Sequence, residues 1–168
     1  VINPQRPFLA VIAGAKYDTK IKPLYAIYEK VDHLILGGVL YNTFLCAKYG
    51  ISVEGVPEKD ITLAKDLVER DRVNRKIVEL PFIVESDTLE GRIEGKYRTV
   101  SIKDFKEGKK YGYILDIYPE SFNDTVVVES ISSAKTIFVN AVMGYTPYFS
   151  AGSEALDRTI DQNRIAIK

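Results

Sequence analysis

The apolar residues of this chain fall in short runs, and these alternate with helix-spaced segments, which leaves few folds open. The runs are Phe8 to Ala13, His33 to Leu36, Ile77 to Val84, Tyr113 to Ile117, Thr136 to Val139 and Ile165 to Ile167. Such alternation is the sequence form of repeated β-α-β units and a parallel sheet. It predicts an α/β fold: a doubly wound, Rossmann-like, mostly parallel six-stranded sheet with helices on both faces.

Between the runs, Ile21, Leu24, Tyr25, Tyr28 and Val31 recur at helical spacing, with Pro23 placed in the first turn, where its missing N–H is harmless. Val39 to Tyr49 predicts a second helix, apolar at Leu40, Phe44, Leu45 and Ala47 and stopped by Gly50. Pro57-Glu58-Lys59-Asp60 starts a third with Pro at the first helical position. Its buried stripe is Ile61, Ala64, Leu67 and Val68, and Glu69-Arg70-Asp71-Arg72 reads as a solvated face. From Glu85 to Lys110 the pattern turns polar around Gly91, Gly95 and Gly108, with alternation from Arg92 to Val100. That predicts a small β-hairpin inserted between core strands and lying on the surface. After Pro119-Glu120-Ser121 comes a helix of about three turns with Phe122, Val126 and Ile131 inward. A last helix spans Ser153 to Asp161.

A length of 168 residues suits one domain, covering 1–168. Lysine plus arginine balances aspartate plus glutamate at 23 each, so no global field draws nucleic acid or an anionic membrane, and any anion site is local. The sole cysteine, Cys46, excludes an internal disulfide and reads as a core residue. The sole histidine, His33, excludes a His-rich metal site and reads as structural at the start of a strand. No apolar stretch approaches 18 residues, and Val1-Ile2-Asn3-Pro4-Gln5-Arg6-Pro7 lacks the regions of a signal peptide. The expectation is a soluble, cytoplasmic protein, and the linker-like start suggests a piece of a longer one. Few cysteines and methionines beside many lysines, glutamates, tyrosines and isoleucines suit a thermophile, archaeal sources included.

In an open parallel sheet the ligand crevice lies beyond the carboxyl ends of the strands. Three strand ends here carry small or loop-forming residues: Gly14-Ala15-Lys16, Gly37-Gly38, and Asn140-Ala141-Val142-Met143-Gly144. Lys16 and Lys20 begin a helix whose dipole opposes them, an arrangement easier to understand if an anion binds there, although solvated lysines explain most such pairs. Gly37-Gly38 either lets a base or phosphate approach the backbone or simply makes a tight turn. Asp18 could coordinate a metal, but capping by Asp18 or Thr19 is the commoner role. Asp116 either orients a magnesium nucleotide or caps a turn. No nucleophile has a neighbouring base, which argues against covalent catalysis and leaves positioning and charge neutralisation, the needs of phosphoryl transfer. Neither a Walker A loop nor Gly-x-Gly-x-x-Gly follows the first strand.

These segments resemble the C-terminal, nucleotide-binding domain of phosphoglycerate kinase. The likeness is carried by Arg6 to Lys16, Lys20-Ile21, Val31 to Gly38 with Asn42-Thr43-Phe44-Leu45, Leu80-Pro81, Leu115-Asp116-Ile117 with Pro119, and Ala134 to Asn140 with Met143-Gly144. The resemblance implies that Lys16 stabilises the phosphoryl group in flight and Lys20 holds nucleotide phosphates. It implies that Gly14, Gly37 and Gly38 form the adenine wall, and that Asn140, Met143 and Gly144 line the ribose and phosphate side. The implied reaction is reversible transfer between 1,3-bisphosphoglycerate and Mg-ADP, giving 3-phosphoglycerate and ATP, with Mg²⁺ as cofactor and no metal ligand within these residues.

The chain departs from the family pattern at Ala141-Val142, where Gly-Pro is usual, at Thr19 for aspartate, and at Val39 for a third glycine. The glutamate expected on the ribose falls at or near Pro147. The family's N-terminal half, with its phosphoglycerate site, and the glycine-rich phosphate loop expected after Arg164 to Lys168 are absent from the 168 residues. The expectation is therefore a chain that binds Mg-ADP weakly and transfers nothing alone; its oligomeric state is left open, with self-association through an exposed sheet edge or apolar face as one hypothesis. The alternatives are a non-catalytic nucleotide-binding module of the same fold and an unrelated Rossmann-like domain.

Overall fold

The computed structural model describes residues 3–145 and 148–163. In chain order the elements are β1 (Phe8–Gly14), α1 (Tyr17–Lys30), β2 (His33–Gly37), α2 (Gly38–Tyr49), β3 (Ser52–Val53), α3 (Glu58–Asn74), β4 (Phe82–Ser86) and β5 (Tyr97–Ser101). There follow β6 (Lys110–Tyr111), β7 (Tyr113–Ile117), α4 (Thr125–Ser133), β8 (Thr136–Asn140) and α5 (Ala151–Asn163). Short 3-10 turns occupy Ile102–Asp104 and Pro119–Asn123.

The α/β class and the parallel β1–α1–β2 unit are as the periodicity predicts, but one six-stranded sheet is not. Among the described residues there are three small sheets: parallel β2-β1-β8, parallel β3-β6, and antiparallel β5-β4-β7. Two features divide them. Pro81, which has no N–H to give a ladder, splits the run from Ile77 to Val84. Its first part runs beside β2, where Leu34 N–H donates to the Lys76 carbonyl and Val78 N–H to that of Leu34, both at 2.8 Å. Its second part is β4. No helix connects β4 to β5, so their ten-residue link, 87–96, folds back as a hairpin and makes the pair antiparallel. The predicted hairpin is thus real, but β4 is one of its arms. The strand expected at Ile165 to Ile167 lies outside the described residues.

β1 is buried along Phe8 to Ala13 because parallel strands flank both its edges and α1 and α2 pack against it. α1 buries Tyr17, Leu24 and Tyr28 on one face. It begins at Tyr17, so Pro23 sits beyond the first turn and deprives the Thr19 carbonyl of its helical donor, contrary to the sequence expectation. Pro57 precedes α3 as its N-cap, not its first residue. Asp71 is another correction: it is buried rather than solvated, because its carboxylate accepts from the Tyr28 hydroxyl and from the N–H groups of Lys76 and Ile77. In α4, which Asp124 caps through Val126 and Val127, it is Val127 that faces inward; Val126 is 62% exposed. The 3-10 turn at Pro119–Asn123 and the extended Asp124 interrupt the continuous helix that the spacing of Phe122 and Val126 assumes. No helix among the described residues is long and apolar enough to cross a membrane.

Cys46 is a core residue, as its neighbours predict, and burial pushes its thiol up to about 11. At pH 8 it is expected to resist an aromatic disulfide reagent in the native chain and to react fully in guanidinium. Fast stoichiometric labelling without denaturant would contradict its seat in α2.

Candidate functional site

In the β2-β1-β8 sheet the chain leaves β1 toward β2 on one side and returns to β8 on the other. The carboxyl ends of β1 and β8 therefore flank a topological switch point, where open α/β sheets form their crevice. A cleft of about 690 Å³ lies there, with Gly14, Lys20, Gly38, Asn140, Met143 and Gly144 in its lining. Those residues come from the ends of β1 and β8, the segment after β8, and the opening turns of α1 and α2.

The glycines do different jobs. Gly14 and Gly38 bridge each other across the ends of β1 and β2. Gly38 has φ +60°, and a Cβ on it would stand 2.9 Å from the Gly14 carbonyl oxygen, so glycine serves both the turn and the close approach. The stem of Lys20 lies over Gly14, its Cγ 3.2 Å from where a Cβ would be. Gly37 is fully extended and lies behind the cleft surface. A Cβ there would meet Met143 Sδ at 2.2 Å, so the thioether occupies the space that Gly37 leaves.

Lys16 is exposed, takes the extended N-cap position of α1 and is not among the lining residues. The expected side-chain cap is absent. Asp18 is exposed in the first turn, and the Thr19 hydroxyl donates to the Lys16 carbonyl at 3.4 Å instead of accepting from the helix. The first-turn N–H groups of α1 thus have no side-chain acceptor from the N-cap.

Asp116 is the one carboxylate in the lining, and of its two roles the geometry shows the cap. It is 2% exposed; Oδ1 accepts from Ile117 N–H at 2.8 Å and Oδ2 from Gly152 N–H, at the start of α5, at 3.2 Å. Burial raises its carboxyl above the ordinary value, opposed by these N–H groups and by the Arg92 charge. Among the described residues no group of three or more His, Cys, Asp or Glu is placed to hold a metal.

Sequence reasoning passed over Asn42 as a site residue. It lines the cleft and donates through Nδ2 to the Ile114 carbonyl at 2.9 Å, which ties α2 to β7. Asn42 and Thr43, the polar pair within the apolar stretch Val39 to Leu45, were the available signal. Of the residues contributed by β7 only Asp116 was singled out; Ile114, Leu115, Ile117 and Tyr145 had no local signal, because they depend on how the antiparallel sheet packs beside the parallel one. Pro147 lies outside the described residues.

The family model described as phosphoglycerate kinase matches residues 1–167. Phosphoglycerate kinase of Synechococcus sp. (strain JA-3-3Ab) is 35% identical over 162 residues, a match that covers 94% of this chain and 38% of the relative. The solved phosphoglycerate kinase from Coxiella burnetii superposes with TM-score 0.79 at 28% identity, over 96% of this chain and 41% of that one. That from Pyrococcus horikoshii OT3 gives 0.64 at 18%, a likeness of fold alone. The chain spans about two fifths of the length of the curated relatives it matches.

Proposed function

The chain belongs to the phosphoglycerate kinase family, and from that premise we propose that its cleft binds the Mg²⁺ complexes of ADP and ATP. The proposed reaction is the glycolytic, reversible transfer of a phosphoryl group between 1,3-bisphosphoglycerate and ADP. The observation that carries this reading is the convergence of Gly14, Gly38, Lys20, Asn140, Met143 and Gly144 on one cleft at the switch point. The glycines leave room for a flat base and for phosphate oxygens against the backbone. Lys20 supplies a positive charge inside the cleft and Lys16 a second at the head of α1, where it serves the transferring group. Phosphoryl transfer of this kind needs in-line positioning and neutralisation of charge on the equatorial oxygens, with no covalent enzyme intermediate. Mg²⁺ belongs to the substrate, held by the nucleotide's own phosphates. Gly37 acts indirectly, as the seat of Met143.

The chain matches about two fifths of its relatives, so the 3-phosphoglycerate site is assigned to the rest of such a protein. The 168-residue chain alone is expected to show no transfer from ATP to 3-phosphoglycerate. Calorimetric titration tests the nucleotide half. Mg-ADP is expected to bind measurably, and Lys20→Ala to weaken it about tenfold, the value of a lost charge-assisted contact partly replaced by water. Wild-type chain that shows no heat with Mg-ADP, or Lys20→Ala that binds as wild type, would overturn this assignment.

A further inference from the structure

The wall of the cleft at 141–145 has no regular secondary structure, and its backbone is held from behind. Met143 N–H donates to Ser153 Oγ at 2.8 Å, and Tyr145 N–H to the Leu115 carbonyl at 2.7 Å. Gly144, between them, presses on Asp116: a Cβ there would come 2.7 Å from Oδ1. The same oxygen would meet a Cβ on Gly152 at 2.4 Å, so one buried carboxylate is packed between a glycine of the wall and a glycine of α5. Its other oxygen takes the Gly152 N–H and so fixes where α5 begins. Ser153 is the next residue, and its hydroxyl holds Met143, whose sulfur fills the space left by Gly37. A continuous path thus runs from the end of β7, through the first turn of α5, to the cleft surface.

Resting on the nucleotide reading above, we propose that Asp116 and Ser153 are positioning residues: they act through the 140–145 wall, which they set at the distance from Gly38 that nucleotide binding requires. A carboxylate is a costly way to fill a buried gap, since its charge is taken out of water and needs donors around it. A packing role needs only an apolar side chain. What Asp116 adds is two directed acceptors, and these register α5 against β7. Ser153 likewise has an acceptor aimed at one particular amide. Small displacements of a site's supporting shell are enough to weaken binding.

The test uses the 168-residue chain with Mg-ADP as probe and two readouts: calorimetric affinity, and amide hydrogen exchange at Met143 and Tyr145. Ser153→Ala is expected to keep the native far-UV spectrum, speed exchange at Met143, and raise the Mg-ADP Kd about five- to tenfold, the value of one buried hydrogen bond. Ser153→Thr should restore both. Asp116→Asn, of the same shape, should speed exchange at Met143 and Tyr145 together and weaken binding similarly, while the amides of β1 keep their protection. Exchange at wild-type rates in both variants would overturn the proposal. So would faster exchange with unchanged affinity, which would make the two residues merely structural. Wild-type chain that does not bind Mg-ADP would instead overturn the nucleotide reading, and the proposal with it, a result told apart because it precedes any variant.

Discussion

Gly144→Ala is expected to lower the unfolding free energy by about 3 kcal/mol, the upper part of the range for overpacking, and to abolish detectable Mg-ADP binding. The added Cβ would stand 2.0 Å from the Phe149 carbonyl oxygen and 2.7 Å from Asp116 Oδ1, distances at which something has to move. Neither neighbour gives easily. The carbonyl is backbone, leading into α5, whose first turn Asp116 anchors, and the carboxylate is fixed by N–H groups on both oxygens. Gly37→Ala makes an instructive contrast, because its Cβ would meet the far end of a flexible side chain, Met143 Sδ at 2.2 Å. There the thioether swings aside, so stability should fall less while the cleft wall is disturbed. Guanidinium denaturation followed by far-UV circular dichroism measures both. A Gly144→Ala midpoint equal to that of wild type would mean that the wall is not seated on Asp116.

That glycine also marks how far the sequence could be read. Gly14, Gly38 and the segment from Asn140 were legible as strand ends, because apolar runs stop abruptly in small residues there, and β1, β2 and β8 deliver them to one edge. What held them could not be read. Nothing local says that Gly144 faces a carboxylate on β7 rather than solvent, since the contact spans two different sheets. The single-sheet expectation failed for a related reason. Strand periodicity records which residues are buried, whereas sheet membership depends on connections, and Pro81 and the helix-free stretch from Glu85 to Lys110 were the only local hints of a break. Charge was misread at Asp71 because Glu69, Arg70 and Arg72, which do face solvent, surround it in sequence.

Asp71→Ala is expected to cost about 4 kcal/mol, more than any other substitution considered, yet to leave the nucleotide cleft intact in the molecules that remain folded. One carboxylate oxygen accepts from the Tyr28 hydroxyl at 3.0 Å, Lys76 N–H at 2.8 Å and Ile77 N–H at 3.0 Å. Removing it takes the acceptor from three donors at once, in a place where Tyr28 is fully buried and water cannot freely replace it. Those bonds hold the tight turn after α3, where Arg75 takes a left-handed φ of 52°, and deliver Lys76 to Val78 alongside Leu34 in β2. Asp71→Asn keeps one oxygen as acceptor and should cost only about 1 kcal/mol, which separates the hydrogen bonds from the charge. Because the network lies at the far end of β2 from Gly37, its loss should shift the denaturation midpoint without changing the Mg-ADP affinity of the folded chain. Asp71→Ala with a wild-type midpoint would show the turn to be held by something other than this carboxylate. Asp71→Ala that stays folded but binds nucleotide poorly would show that the two ends of β2 are coupled, where Gly144 and Asp71 are expected to fail independently.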